Sequence, residues 1–322
     1  MTFAGSPDRV EASLVPEAGY ELDTFEIAGF PRRPSIRLLR SLIMAGRAPR
    51  ACAAILKRRR PHVVLGGGGY VAGPMVYAAW RRKLPAALTE ADAHLGLANR
   101  LAAPFAQRVF LAYEISGRDG SKYRVTGRPV PEAHRGVSQT EGRQRFGLSA
   151  DAPVLAFFGA LAGARSLNDF AVEAYGDSGP AVLHISGERD YERLRAQVDR
   201  DDYVLVSSTS EFGAALAAPD LAVSRAGGTV WELAAAGTPA ILVPYPHATG
   251  DHQTQNARHF ERGGGAVVVP ESELERVPAL VDELLADRPR LESMRAAMLS
   301  MARPHAADEI AEELIALATS GR

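Results

Sequence analysis

The sequence predicts an α/β protein built as two doubly wound lobes, and three observations carry that prediction. Short apolar runs alternate with amphipathic stretches from end to end, the pattern of strand–helix units laid around a parallel sheet. The chain is 322 residues long, beyond the ~250 to 300 residues at which single cores stop growing. Near its middle, the stretch TGRPVPEAHRG sets two prolines close together, where neither a helix nor a central strand continues. The expected boundaries are 1–128 for the first lobe and 129–303 for the second, with 304–322 as a terminal helix packing back on the first lobe.

In the first lobe, apolar runs bounded by turn residues predict strands at 2–4, 63–65, 86–89, 109–112 and 124–126. The second lobe repeats the pattern more regularly, with strands at 154–158, 181–185, 203–206, 221–223, 240–243 and 266–269. Between them, apolar residues at helical spacing predict helices at 211–218, 230–236 and 252–262, and a last one at 306–318.

Composition excludes several classes of function. With 46% hydrophobic and 23% charged residues and a formal net charge of -1, the chain has no global attraction to nucleic acid or to membranes. The single cysteine, Cys52, rules out an internal disulfide and a cysteine-built metal site and reads as a small buried apolar residue. The start has no signal-peptide pattern, and no run approaches the ~20 apolar residues of a membrane span. Charge is nevertheless uneven: positions 27–89 hold thirteen Lys or Arg and no Asp or Glu. Inside that block Arg33, Arg37 and Arg40 interleave with Leu38, Leu39, Leu42 and Ile43. Such a segment either lies on an anionic membrane surface or forms a solvated helix with one core-facing stripe. Nucleic acid is not expected, because few aromatics accompany the arginines.

The most informative segment is SRAGGTVWELAAAGTPAILVPYP, 224–246. A strand ends near Arg225, glycines turn the chain, and a helix begins near Thr229. Its free N–H groups and dipole favour a phosphate, and Gly227 and Gly228 let that phosphate approach the backbone. Thr229 can donate its hydroxyl, and Glu232, one turn on, can accept from ribose hydroxyls. Farther on, Asp251 is a candidate N-cap, with His252, Gln253 and Asn256 clustered at a second helix start as neutral groups suited to sugar hydroxyls.

RAGGTVWELAAAGTPAILVPYP followed by DHQTQNA resembles the signature of the MurG family, bacterial transferases that convert lipid I to lipid II with UDP-N-acetylglucosamine. PHVVLGGGGYVAGP, LTEADAHLGLANRLAAPFA and FFGALAGARSLND resemble further family motifs in the family's order. The resemblance implies a GT-B fold of two Rossmann-like lobes facing across a cleft, located peripherally on the cytoplasmic face of the cell membrane. It implies an inverting transfer of N-acetylglucosamine to the muramyl sugar of a polyprenyl-pyrophosphate-linked muramyl-pentapeptide, in peptidoglycan synthesis. Thr229 is then expected at the diphosphate, Glu232 at the ribose, His252 and Gln253 at the sugar, and the backbone of Ser208 and Thr209 at uracil. Gly68, Gly69, Tyr70, Glu90, Asp92 and Asn99 are expected on the acceptor side, with Glu90 as candidate base. No cofactor or metal is expected, and the spacing of Asp199 and Asp201 reads as solvated surface.

The departures from the family pattern are specific. The second lobe's glycine loop reads Gly159-Ala160-Leu161-Ala162-Gly163-Ala164, leaving Leu161 and its neighbours only backbone donors. The arginine expected after the junction prolines is absent, and Arg128, three residues earlier, is the candidate to replace it. Thr89 and Asp92 stand where the family has His and Asn. About one strand-helix unit of the family pattern, with its first glycine loop, has no counterpart, so transfer is expected to be weak while nucleotide binding persists. Two alternatives are a UDP-sugar transferase acting on a diacylglycerol-type lipid and a catalytically silent UDP-sugar-binding subunit.

Overall fold

The computed structural model describes residues 1–27, 36–159 and 163–320, with the side chains of 36–43 and 45 outside that description. Arg33 and Leu161 therefore lie outside the described residues, as do the side chains of Arg37, Leu38, Leu39, Arg40, Leu42 and Ile43. The chain forms two compact units, Met1–Thr126 with Asp308–Arg322, and Gly127–Ala307. Gly127 and Arg128 thus group with the second unit and not the first. The reason is local: Gly127, at φ +81°, lies directly against Arg303 and the Trp231 ring of that unit.

In the first unit, β1 (Phe3–Gly5) and β2 (Leu22–Thr24) form a parallel pair, and β3 (Val64–Gly66), β4 (Ala86–Glu90), β5 (Arg108–Leu111) and β6 (Tyr123–Val125) form a separate parallel sheet in that order. β2 was not predicted, and the helix Ile36–Arg59 takes in most of the basic segment for which a helix was one of two expectations and runs well past it. They are joined by charge. Asp23 of β2 accepts from Arg59 Nε at 2.7 Å and from Arg58 at 2.7 Å at the end of that helix, and the Arg59 contact holds its carboxyl below the usual carboxylate range. Both sheet pieces pack on one core through Phe25, Ile27, Cys52, Val76 and Leu88. The terminal helix Ala306–Ser320 sets Ile310 against Ala87 and Phe110, and Glu313 pairs with Arg108 at 3.1 Å.

The second unit follows its predicted strands closely: β7 (Val154–Phe158), β8 (Ala181–Ile185), β9 (Tyr203–Val206), β10 (Leu221–Ser224), β11 (Ala240–Leu242) and β12 (Ala266–Val268). All pairs are parallel, in the order β12-β11-β10-β7-β8-β9. Every residue of β7, β10 and β11 is buried, as expected for strands covered on both faces. Read in chain order this is the doubly wound 3-2-1-4-5-6 arrangement, which reverses direction between its first and fourth strands and opens a crevice at their carboxyl ends. Here those strands are β7 and β10.

Candidate functional site

The crevice in the second unit is formed by the segments that leave β7 and β10. After β7 the chain passes Gly159 and enters the helix Arg165–Tyr175; after β10 it passes Gly227 and Gly228 and enters the helix Thr229–Ala236. Neither helix has a side-chain cap on its N-terminus. The N–H groups of Val230 and Trp231 turn back to the Gly227 and Gly228 carbonyls. Among the described residues, the N–H groups of Arg165 and Ser166 at one start and of Gly227, Gly228 and Thr229 at the other are the ones that face an outside acceptor. Ala164, Arg165 and Ser166 from one helix start and Gly227, Gly228 and Thr229 from the other line a single concavity of about 860 Å³, together with Glu232, Gln253 and Arg128. Two positive helix ends converging on one space favour a ligand carrying two negative groups, such as a diphosphate.

Two glycines shape the crevice, the first because the backbone requires it and the second because it leaves room for a side chain. Gly163 has φ +74°, and a Cβ there would lie 2.2 Å from the Ser186 carbonyl oxygen. At Gly228 a Cβ would lie 2.6 Å from the Arg128 guanidinium carbon, so glycine lets that cation lie over the start of the Thr229 helix. Sequence reasoning offered Arg128 only as a replacement for a missing arginine. Its contact with Gly228 is what brings it to the crevice.

A polar network beneath the crevice went unnoticed in the sequence. Arg225, just after β10, donates to both Glu271 oxygens at 3.0 Å, to Ser166 Oγ at 2.8 Å and to the carbonyls of Val243 and Pro244, with its guanidinium over the Tyr245 ring. Ser166 also donates to Glu271. Burial pushes the Glu271 carboxyl up, but the bonds from Arg225 and Ser166 outweigh it and hold the group below the ordinary value. The network ties the Arg165 helix to the loop before the Thr229 helix, fixing the two N-termini relative to each other. Arg225 was legible as part of the motif; Glu271 carried no spacing signal.

The helix His252–Arg262 contributes unevenly. Gln253 accepts from the Tyr245 N–H at 2.9 Å through Oε1, and Nε2 lies on the Gly227 side of the crevice. His252 Nδ1 donates to the Thr249 carbonyl at 2.8 Å, and His252 is not part of the crevice lining. Asn256 is buried and donates to the Ala226 carbonyl at 3.1 Å, bracing the glycine turn from behind. Asp251 occupies the N-cap position but in the left-handed region (φ +54°), and its carboxylate accepts from the Thr254 hydroxyl instead of a helix N–H. Thr209 lies in the exposed turn after β9, its hydroxyl accepting from the Glu211 N–H at 3.0 Å, outside the crevice.

In the first unit, Gly68 (φ +92°) and Gly69 (φ +65°) turn the chain from β3 into the helix Gly69–Arg81, and Arg9 sits over the Tyr70 ring. Glu90, at the end of β4, is 8% exposed. Its carboxylate accepts from the Asp92 and Gly96 N–H groups at 3.3 and 2.9 Å and from Asn99 Nδ2 at 2.9 Å. Asn99 also donates to the Thr89 carbonyl. Both carboxylate oxygens are thus engaged in ordering loop 91–96, a role the sequence did not suggest for a candidate base. Among the described residues, no group of three or more His, Cys, Asp or Glu side chains gathers as a metal site, and no helix is long and apolar enough to cross a membrane.

The chain matches the Glycosyltransferase family 28 N-terminal domain over residues 2–111 and the Glycosyltransferase family 28 C-terminal domain over residues 154–310. It is 35% identical over 326 residues to the UDP-N-acetylglucosamine--N-acetylmuramyl-(pentapeptide) pyrophosphoryl-undecaprenol N-acetylglucosamine transferase of Halothermothrix orenii, covering 95% of this chain and 88% of that protein. To the transferase of the same name from Rubrobacter xylanophilus it is 35% identical, covering 100% of this chain and 96% of the other. The crystal structure of Acinetobacter baumannii MurG superposes with a TM-score of 0.75 at 24% identity, over 97% of this chain and 90% of that one. The fold is GT-B, with its parallel sheets in two Rossmann-like domains. With relatives of this identity over nearly its whole length, the chain belongs to the MurG family of glycosyltransferases.

Proposed function

We propose that the protein transfers N-acetylglucosamine from UDP-N-acetylglucosamine to the muramyl sugar of an undecaprenyl-pyrophosphoryl-linked muramyl-pentapeptide, a step of peptidoglycan synthesis. The observation that carries the reading is the pair of uncapped helix starts at the β7–β10 crevice, with Glu232 one turn beyond. In this reading the diphosphate lies against the N–H groups of Ala164–Ser166 and Gly227–Thr229, Arg128 and the Thr229 hydroxyl add to its binding, and Glu232 accepts from the ribose. Gln253 Nε2 faces the sugar.

The acceptor hydroxyl attacks C1 with inversion: a bond forms from its oxygen to C1, the bond from C1 to the phosphate oxygen breaks, and UDP departs with the electron pair. Charge grows on the leaving diphosphate as that bond stretches. The two helix ends therefore stabilise the transition state more than the bound substrate. Glu90 holds loop 91–96 and in this reading also takes the hydroxyl proton, through Oε1, whose one hydrogen bond, from the Asp92 N–H at 3.3 Å, leaves it a lone pair.

Peripheral attachment to the cytoplasmic face of an anionic membrane is part of the same reading. It is supported by the acid-free basic block at 27–89 and, among the described side chains, by exposed Trp80, Leu97 and Leu101 close in sequence to Arg81, Arg82, Lys83 and Arg100.

The test is product identity. Incubating the chain with UDP-N-acetylglucosamine labelled in the sugar and each lipid acceptor should label the muramyl-linked lipid, at whatever rate, and leave diacylglycerol unlabelled. Label on diacylglycerol would assign the other acceptor class. Tight UDP-sugar binding with no labelled lipid would make the chain a silent binding subunit.

A further inference from the structure

The Glu232 side chain is held by a residue that the sequence did not single out. His134 ends the short 3-10 turn Glu132–His134, and its Nδ1 lies 2.9 Å from Glu232 Oε1, with both side chains 20% exposed. A carboxylate only accepts, so Nδ1 carries the proton and donates. Oε2 receives no hydrogen bond from any described residue and is left for a ligand.

His134 is itself fixed. Its ring stands edge-on to Phe212 at 5.4 Å between centroids, and Phe212 stands in turn against Phe158, the last residue of β7, at 5.8 Å. The turn is seated closely on the helix Phe212–Ala217: a Cβ at Gly213 would lie 2.3 Å from the Ala133 carbonyl oxygen and 2.8 Å from His134 Cα. A glutamate on the first turn of a helix otherwise samples several rotamers, and losing that freedom on ligand binding weakens the binding. A donor fixed by packing selects one rotamer before the ligand arrives.

We propose that His134 is a positioning residue, which holds Glu232 in the single orientation that presents its second oxygen to the ribose hydroxyls of the nucleotide. The inference rests on the reading of Glu232 as the ribose acceptor. It predicts that His134 governs discrimination between ribose and deoxyribose rather than nucleotide affinity at large.

The experiment measures the affinities of UDP and 2′-deoxyuridine 5′-diphosphate by calorimetry on the full chain and on two variants. The unaltered chain should prefer UDP. His134→Phe keeps a ring against Phe212 but removes the donor, and should narrow that preference by about 3- to 10-fold, the scale of one weakened hydrogen bond, while deoxy-UDP affinity changes little. His134→Asn returns an N–H donor near the position of Nδ1 and should restore the preference. If the unaltered chain does not distinguish the two nucleotides, the reading of Glu232 at the ribose falls, and this inference with it. If the unaltered chain distinguishes them and His134→Phe does so equally well, or loses both affinities in parallel, the positioning role alone is overturned. Should His134→Phe fail to fold, the same ratio measured on His134→Leu decides.

Discussion

Leu183, in the middle of β8, has no exposed surface, whereas Leu65, in the middle of β3, is 42% exposed. Both are apolar residues inside parallel strands of doubly wound units, and what differs is the surroundings. The second unit has six strands in one sheet, and the strands at its centre are buried on both faces. The first unit divides its strands into a pair and a set of four, with no backbone bonding between β1 and β3 among the described residues. Phe3, Val10 and Leu14, on and after β1, are likewise exposed. Parallel strands are stable only when covered on both sides, so an apolar strand residue stabilises the fold only where the sheet is continuous around it.

The largest effect expected from that comparison is in packing. Leu183→Ala should destabilise the protein by about 2 to 5 kcal/mol, and Leu65→Ala by under about 1 kcal/mol, because only the first opens a cavity. Chemical unfolding of the two variants measures this. Equal losses would show that β3 is as well covered as β8 and would break the comparison.

A second contrast concerns acid. His184, fully buried on β8 between the Tyr203 hydroxyl at 2.9 Å and Asn168 Oδ1 at 3.1 Å, is pushed down by burial from 6.5 to about 3. Between those values the unfolded chain binds a proton that the folded chain refuses. The stabilisation is therefore complete above pH 6.5 and is lost as pH falls toward 3, by roughly 2 kcal/mol at pH 5. Asp23 in the first unit is also depressed, from 3.8, so its contribution is complete above that value and is lost only below it. Amide exchange at pH 7 and pH 5 should thus show the second unit loosening first. Exchange in the second unit that stays unchanged across that range would mean that His184 accepts its proton in the folded state.

The smallest effect per residue concerns the proposed membrane face, whose basic residues all belong to the first unit. Each basic residue near an anionic surface contributes roughly 1 kcal/mol, an attraction that salt screens. Arg33, Arg37 and Arg40 all replaced by Glu should abolish sedimentation with anionic vesicles at low salt. Equal sedimentation would leave the segment as a solvated helix.

What the sequence made legible follows the same division. In the second unit each strand is an apolar run between turn residues, so 154–158, 181–185 and 203–206 were located to the residue. In the first unit, β2 contains Asp23 and Thr24 and breaks the apolar pattern, because its stability comes from ion pairs with Arg58 and Arg59, more than thirty residues away. The site divides in a similar way. Gly227, Gly228 and Thr229 are consecutive, Glu232 lies one helical turn on, and local spacing found them. Glu271 and His134 meet Arg225 and Glu232 only through the tertiary fold, so no spacing rule points to them. Asn256 shows the converse case: local spacing finds its neighbourhood, and only the fold shows its side chain donating to the Ala226 carbonyl.

In the proposed function, nucleotide binds where β7 and β10 diverge, on two helix N-termini of the second unit. Amide hydrogen exchange with and without UDP tests it most directly, because each bound N–H reports for itself. Exchange should slow at 163–166 and 227–229, with the first unit unchanged. Protection appearing instead at 66–70 or 91–97, with 227–229 unaffected, would contradict it.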